Sequence, residues 1–270
     1  MKKKIVTAFA AAALVLITVV SIQEWMTIRG LKQEIRQMLF AAIRPVRLAN
    51  CALERFGSAN DGGYLMCANL LGQVQSAYSY GIAGDDNWGC DISRRYHVPV
   101  HEYDCFDPRH PSCQGGVLDF HEECVGNAAA RIDKRAYDSV ASHIARNGDV
   151  GKHLVVKMDV ENAELDALSA TSDEVLNEVE QLVVEFHRID ELQSVRLLEK
   201  LKKTFYVAYV HANNYACRWG EPPFTSGANE ILFVNKRLAV VDGAGTATAT
   251  VSPLATPNYP KMPECQPVWP

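Results

Sequence analysis

Two short segments carry more acid–base groups than a packed core tolerates. Lys157-Met158-Asp159-Val160-Glu161-Asn162-Ala163-Glu164 follows one apolar run, and Glu185-Phe186-His187 follows another. Ionised groups resist burial, so carboxylates and an imidazole gathered at such ends point to a site that uses them. If the two runs are neighbouring parallel strands, Asp159 and Glu185 end side by side, about 5 Å apart. Carboxylates that close need a cation, a proton, or a partner such as His187 or Lys157 between them. Glu161 and Glu164 also suit the start of a helix, whose dipole favours negative charge. His211, within His211-Ala212-Asn213-Asn214, adds a candidate general base. Upstream, Gly81 and Gly84 in Gly81-Ile82-Ala83-Gly84-Asp85-Asp86 would let the backbone turn tightly beside a ligand. Asp107, in Phe106-Asp107-Pro108, follows where an acid can accept both ribose hydroxyls of a nucleoside. A GxGxxG dinucleotide signature is absent.

Such groups need strands to hold them. Apolar runs at 76–82, 99–106, 117–121, 153–159, 181–187, 204–211 and 230–235 predict seven strands. Ala128, Ile132, Ala136, Val140 and Ile144 recur at helical spacing, as do Ile189, Leu192, Val195, Leu198 and Leu201. Strands alternating with helices predict a mostly parallel sheet covered on both faces. No helix-length segment separates the last two strands, so the final strand is expected to return antiparallel. Residues 240–270, rich in Thr, Ala, Gly and Pro, read as an irregular tail. In a sheet of this kind, ligands bind beyond the carboxyl ends of the strands, near the switch in strand order.

Composition narrows the function classes. The chain of 270 residues is 48% hydrophobic and 22% charged, which excludes collagen, rod-like coiled coils and wholesale disorder. Its net charge is −5, and the charge beyond residue 36 is more negative still, so nucleic acid is not an expected partner. Lys2, Lys3 and Lys4 in a short tail, 1–4, precede an uncharged stretch over 5–22 that is long enough, at about 27 Å, to cross a hydrocarbon core. No small-residue cleavage site follows it, which favours a single-pass signal anchor over a removed signal peptide. Residues 23–43 continue as an amphipathic stem, with Ile28, Leu31, Ile35, Met38, Leu39 and Ala42 at helical spacing. Charge flanking the anchor is nearly balanced, so the cysteines decide orientation. All 8 lie beyond the anchor without CxxC spacing, which reads as disulfides in an oxidising compartment, a secretory lumen or the periplasm. Their connectivity stays open.

Taken in order, several of these segments resemble class I S-adenosylmethionine-dependent methyltransferases of the FkbM-like branch. The match runs through Arg55-Phe56-Gly57, Asn60-Asp61-Gly62-Gly63-Tyr64, Tyr78-Ser79-Tyr80-Gly81-Ile82 and Phe106-Asp107-Pro108. It continues through the block from Lys157 to Glu164, Glu185-Phe186-His187 and His211-Ala212-Asn213-Asn214, and closes on Glu230 to Asn235 and Pro257-Asn258. The chain departs from the family pattern at Asn162, where a glycine is usual, and in a leaner first glycine turn. Asn tolerates a positive φ better than most residues.

The resemblance implies a Rossmann-like α/β sheet of seven strands, the last antiparallel, in a methyltransferase-like domain over 44–239. It implies S-adenosylmethionine as cofactor, with Gly81, Gly84 and Asp107 at its amino-acid and ribose parts. Phe120, His121 and Glu122 would lie beside the adenine, and Asp61, Gly62, Gly63 and Tyr64 would complete the cofactor site. Asp159 or His211 would take the proton of a hydroxyl acceptor on a small molecule or glycan. Asp159, Glu185 and His187 are alternatively read as holders of a divalent cation. Two rival classes are a binding domain of the same fold without cofactor, and a glycan hydrolase using paired carboxylates. The hydrolase accounts for the acidic cluster but not for the glycine turn or Asp107.

Overall fold

The computed structural model describes residues 23–219, 222–246, 252–267 and 269. The expected anchor over 5–22 and the tail 1–4 lie outside them. Among the described residues no helix is long and apolar enough to cross a membrane.

Seven strands form the central sheet: β1 (Ser76–Tyr80), β2 (Pro99–Tyr103), β3 (Val117–His121), β4 (Leu154–Met158), β5 (Val179–Phe186), β6 (Phe205–Ala212) and β7 (Asn229–Asn235). Their spatial order is β6-β7-β5-β4-β1-β2-β3. β3, β2, β1, β4 and β5 pair in parallel, and β7 inserts antiparallel between β5 and β6. The sheet is Rossmann-like and mostly parallel. Every residue of β1, β4 and β5 is buried, whereas β3 at the edge is part-exposed throughout. Leu154–Met158 and residues 182–186 accordingly show no apolar–polar alternation, because both faces of a central parallel strand are covered.

Helices cover one face and a hairpin shares the other. A helix over 23–42 (α1) is followed by α2 (Asn87–Tyr96), α3 (Val140–Arg146), α4 (Glu164–Ala170), α5 (Asp173–Glu178) and α6 (Ser194–Thr204). Leu39, Phe40 and Ile43 at the end of α1 join Ile144, Leu168, Leu176 and Leu198 in a core against one side of the sheet. The first turns of α1 stay uncovered, with Trp25, Met26, Ile28 and Leu31 exposed. On the other side, Trp88 and Ile92 of α2 pack with Phe56, Tyr64 and Met66 of the hairpin Leu53–Gly57 and Gly63–Cys67. Side-chain oxygens of Asp86, Ser139 and Ser172 cap α2, α3 and α5, satisfying N–H groups that have no intrahelical partner.

Two expectations need correction. The helical spacing from Ala128 to Ile144 yields a helix only from Val140. Ala130–Ile132 and Arg135–Ser139 are instead strands of a small sheet with Cys124–Gly126. Asp133 and Lys134 both take positive φ, 48° and 70°, giving a two-residue hairpin turn that no helix accommodates. The tail expected to be irregular over 240–270 opens with a strand, Val241–Thr246, paired to Val46–Leu48. Beyond it Asn258 and Cys265 are buried, so this stretch is part of the body.

All cysteines pair: Cys51–Cys67, Cys90–Cys113, Cys105–Cys124 and Cys217–Cys265. Four disulfides fit an oxidising, extracytoplasmic compartment.

Candidate functional site

The strand order reverses between β1 and β4, and a pocket of about 480 Å³ opens at their carboxyl ends. Its volume falls within the roughly 300–1,000 Å³ of small-ligand sites. Gly81 forms its floor with φ +75°, and a Cβ there would lie 1.6 Å from the Asp159 carbonyl oxygen. Only glycine fits. Gly84, at φ +77°, abuts the Arg109 guanidinium, 2.6 Å from where a Cβ would stand.

Asp104, which the sequence reading passed over, holds this loop. Its Oδ2 accepts from the N–H groups of Ile82 and Ala83, at 3.0 and 2.8 Å, and its Oδ1 from those of Phe106 and Asp107, at 2.8 and 3.1 Å. Burial alone would raise this carboxyl, but the four backbone donors outweigh it and hold the group below the usual carboxylate range. The sequence reading carries the strand through 99–106 and so encloses Asp104; the strand ends at Tyr103, which leaves Asp104 at its carboxyl end.

Asp107 borders the pocket and is engaged by Arg109, whose Nε lies 2.9 Å from both carboxylate oxygens. The same guanidinium donates to the Ala83 carbonyl at 2.9 Å. The hydrogen bonds from Arg109 pull Asp107 below its usual value. Phe120, His121 and Glu122 do not line the pocket; Phe106, Tyr137, Val125 and the Cys105–Cys124 bridge form that wall. Phe120 packs on His110, and His121 stacks at 4.5 Å on Tyr103, itself a pocket residue.

A row of acid–base groups crosses the carboxyl end of the sheet beside the pocket. Met158 pairs with Val184 in parallel register, which sets Asp159 beside Glu185; Glu185 pairs with Glu230, and Glu230 with His211. The Asn60–Tyr64 turn covers this row. Gly62, at φ +75°, and Gly63, where a Cβ would lie 1.8 Å from the Ser58 carbonyl oxygen, shape the turn. Tyr64 then donates to Asp159 Oδ2 at 3.0 Å. Asp61 accepts from Asn258 at 3.0 Å, and Asn258 also donates to Glu230 at 2.6 Å. None of the four DGGY residues lines the pocket. Lys157, buried beneath, lies 3.7 Å from Asp159 Oδ2 and donates to the carbonyls of Tyr80 and Gly81.

The row is electrostatically divided. Burial pushes the Glu185 carboxyl well up, and the charges of Asp159 and Glu230 push it further, against one hydrogen bond from Asn213 at 2.7 Å. Glu185 therefore holds its proton more readily than an ordinary carboxyl. Burial likewise raises the Tyr64 phenol, with Asp159, Glu185 and Glu230 adding to it. For His211 burial disfavours the charged ring, but the Glu230 carboxylate, 3.1 Å from Nδ1, outweighs burial and raises its pKa. A ring that holds its proton more tightly is less often free to accept another, and His211 does not line the pocket.

Asp159 belongs to both the row and the pocket. Past it the chain turns through Glu161 and Asn162 at φ 51° and 82°, so Asn162 occupies a left-handed position. Glu164 Oε1 closes the turn, accepting from Val160 and Asn162 N–H at 3.2 Å each, and lies 2.9 Å from His187 Nδ1. Burial lowers His187, but Glu164 outweighs it and the net direction is up. One ligand atom each of Asp159, Glu161 and His187 lie within 4.8 Å of one another, a spacing that suits a divalent cation. Glu185 stands at the rim of that group, 3.9 Å from His187 Nε2.

Compared with family models, with curated proteins and with solved structures, the chain finds no match in any of the three.

Proposed function

We propose that this protein is a membrane-anchored S-adenosylmethionine-dependent methyltransferase that modifies a hydroxyl of a small molecule or glycan on the extracytoplasmic side. The observation that carries the reading is the contact between the glycine loop and Asp159. The missing Cβ of Gly81 lets the loop lie against the Asp159 backbone, so the pocket floor and the acid–base row meet at one residue. A sheet whose seventh strand inserts antiparallel supports the same reading.

The residues present fit the cofactor: a loop that a side chain would fill, and an acid, Asp107, at the pocket edge for ribose hydroxyls. When bound, S-adenosylmethionine supplies a methyl group on a sulfonium sulfur, open to in-line displacement. Asp159 takes the proton of the acceptor hydroxyl. Tyr64 and Lys157 orient its carboxylate, and the raised pKa of Glu185 eases the repulsion between the two neighbouring acids. Asp159, Glu161 and His187 offer a second use of the same carboxylate, holding a divalent cation that orients the acceptor.

A second reading, a cofactor-free binding domain of the same fold, is favoured by the Arg109 fork that already engages Asp107. Calorimetric titration of the full chain with S-adenosylmethionine separates the two. The methyltransferase reading expects micromolar binding, weakened roughly tenfold or more by Asp107→Ala through lost charge-assisted hydrogen bonds. The absence of both heat and a thermal shift at millimolar cofactor favours the binding-domain reading instead.

A further inference from the structure

We propose that β2 and β3 carry a transition-metal site, suited to zinc, on His101, Asp119 and His121. His101 pairs with Asp119, and Tyr103 with His121, in parallel register. Side chains two apart on a strand share a face, so all three project from the same side of the sheet. That side is not the one bearing Lys157, because Tyr78 pairs with both His101 and Val156.

The geometry is that of a ligand set. His101 Nδ1 lies 3.1 Å and His121 Nε2 3.2 Å from one oxygen, Asp119 Oδ2. One ligand atom from each residue lies within 4.8 Å of the others. Tetrahedral zinc with bonds of about 2.0–2.2 Å spaces its ligands roughly 3.3–3.5 Å apart, within a few tenths of an ångström of these separations. Two imidazoles and a carboxylate select zinc and its neighbours over calcium or magnesium, which prefer all-oxygen sites.

Two further observations support a cation here. His101 Nε2 sits 3.2 Å from Asp149 Oδ2, and Asp149, 1% exposed, is fixed in turn by the Tyr78 hydroxyl at 2.9 Å and by Lys152. A carboxylate behind a ligating histidine sets its tautomer. With the proton on Nε2, the Nδ1 lone pair faces a carboxylate oxygen, a contact that a cation between them makes favourable. In addition, His121 Nε2 is shielded from solvent and makes no hydrogen bond. Asp119 is half exposed, at 55%, so an ion can enter and retain a water.

Zinc at this position clamps the edge strand to its neighbour. Tyr103, stacked on His121 and lining the pocket, carries that restraint to the pocket wall.

The test is titration of the full chain, stripped with a chelator, using Zn²⁺ by calorimetry and Co²⁺ by its visible absorption. Expected are one equivalent bound at this cluster, the intense bands of tetrahedral Co²⁺, and a rise in Tm. Asp119→Asn, at an exposed position that should not disturb folding, is expected to lose at least 100-fold in affinity. Asp149→Asn should lose about 10–100-fold, as outer carboxylates do. Glu161→Gln, in the other candidate cluster, should leave the signal intact. Unchanged affinity in Asp119→Asn with loss in Glu161→Gln overturns the assignment, as does the absence of binding at millimolar metal.

Discussion

The Tyr64 hydroxyl donates to Asp159 Oδ2 across 3.0 Å, joining residues 95 apart in the chain. This bond brings the covering hairpin onto the strand that also lines the pocket. It makes Asp159 the residue shared by the pocket and the buried acid row.

Asp159→Asn keeps the shape and the hydrogen bond from Tyr64 but removes a base. Methyl transfer is expected to fall by about 100-fold or more, while cofactor affinity stays within a few-fold. Paired turnover and calorimetry measure the split. A chelator adds the second reading: loss of activity that a divalent ion restores in Asp119→Asn but not in Glu161→Gln assigns Asp159, Glu161 and His187 to metal binding, and indifference to the chelator assigns Asp159 to proton transfer. Full turnover in Asp159→Asn would sink the site.

Gly81→Ala drives a methyl group into the Asp159 carbonyl at a positive φ. The expected cost is about 3 kcal/mol, with loss of cofactor binding in whatever fraction folds. Gly115→Ala is the control: its φ is +83° but nothing lies within 4 Å of the added carbon. It should cost only about 1 kcal/mol. Equal denaturation midpoints for the two variants would contradict the close approach of the loop to β4.

Asn162→Gly restores the residue that a left-handed backbone prefers. At φ 82° the change should be neutral or stabilising by up to about 1 kcal/mol, and Asn162→Val should destabilise by about 1–2 kcal/mol. Urea midpoints read both. Catalysis is expected to be indifferent to Asn162→Gly, since the turn geometry is already met.

Glu102 gives the protein a pH dependence distinct from that of the acid row. It is fully buried, and burial first, then the Asp86 charge, pushes its carboxyl from 4.5 up to about 9. Both Glu102 oxygens and Asp86 Oδ2 lack a donor, which one shared proton supplies. Because the folded value lies above the unfolded one, the stabilisation is complete below about pH 4.5 and is lost as pH rises toward 9. Glu102→Gln should therefore flatten the decline in stability between pH 5 and 9, gaining on the order of 2 kcal/mol at pH 8. Thermal melts across that range check it; parallel curves for the two proteins would refute it.

The strands were readable from sequence because their signal is local. Runs such as Leu154–Met158, apolar but for Lys157, bury both faces, as a central parallel strand must. Asn162 was readable for the same reason, as one residue type suited to one backbone conformation. Helical spacing from Ala128 to Ile144 misled because the side-chain pattern says nothing of the Asp133–Lys134 turn or of the strand at Cys124–Gly126 that pairs with Arg135–Ser139.

What the chain determined by itself was the chemistry available: glycines able to turn, acids and histidines at strand ends, and cysteines in a number that pairs. What only the tertiary structure decided was which of them meet. Asp159 beside Glu185 was legible in the sequence on condition that their strands pair in parallel; register met that condition, set Glu230 beside His211, placed Asp104 under the glycine loop, and drew His101 and His121 onto one oxygen of Asp119. All of those meetings but that of His121 with Asp119 join separate segments of the chain. Pairing partners are chosen by the burial of whole faces, so no side chain carries its neighbour's identity in its own position.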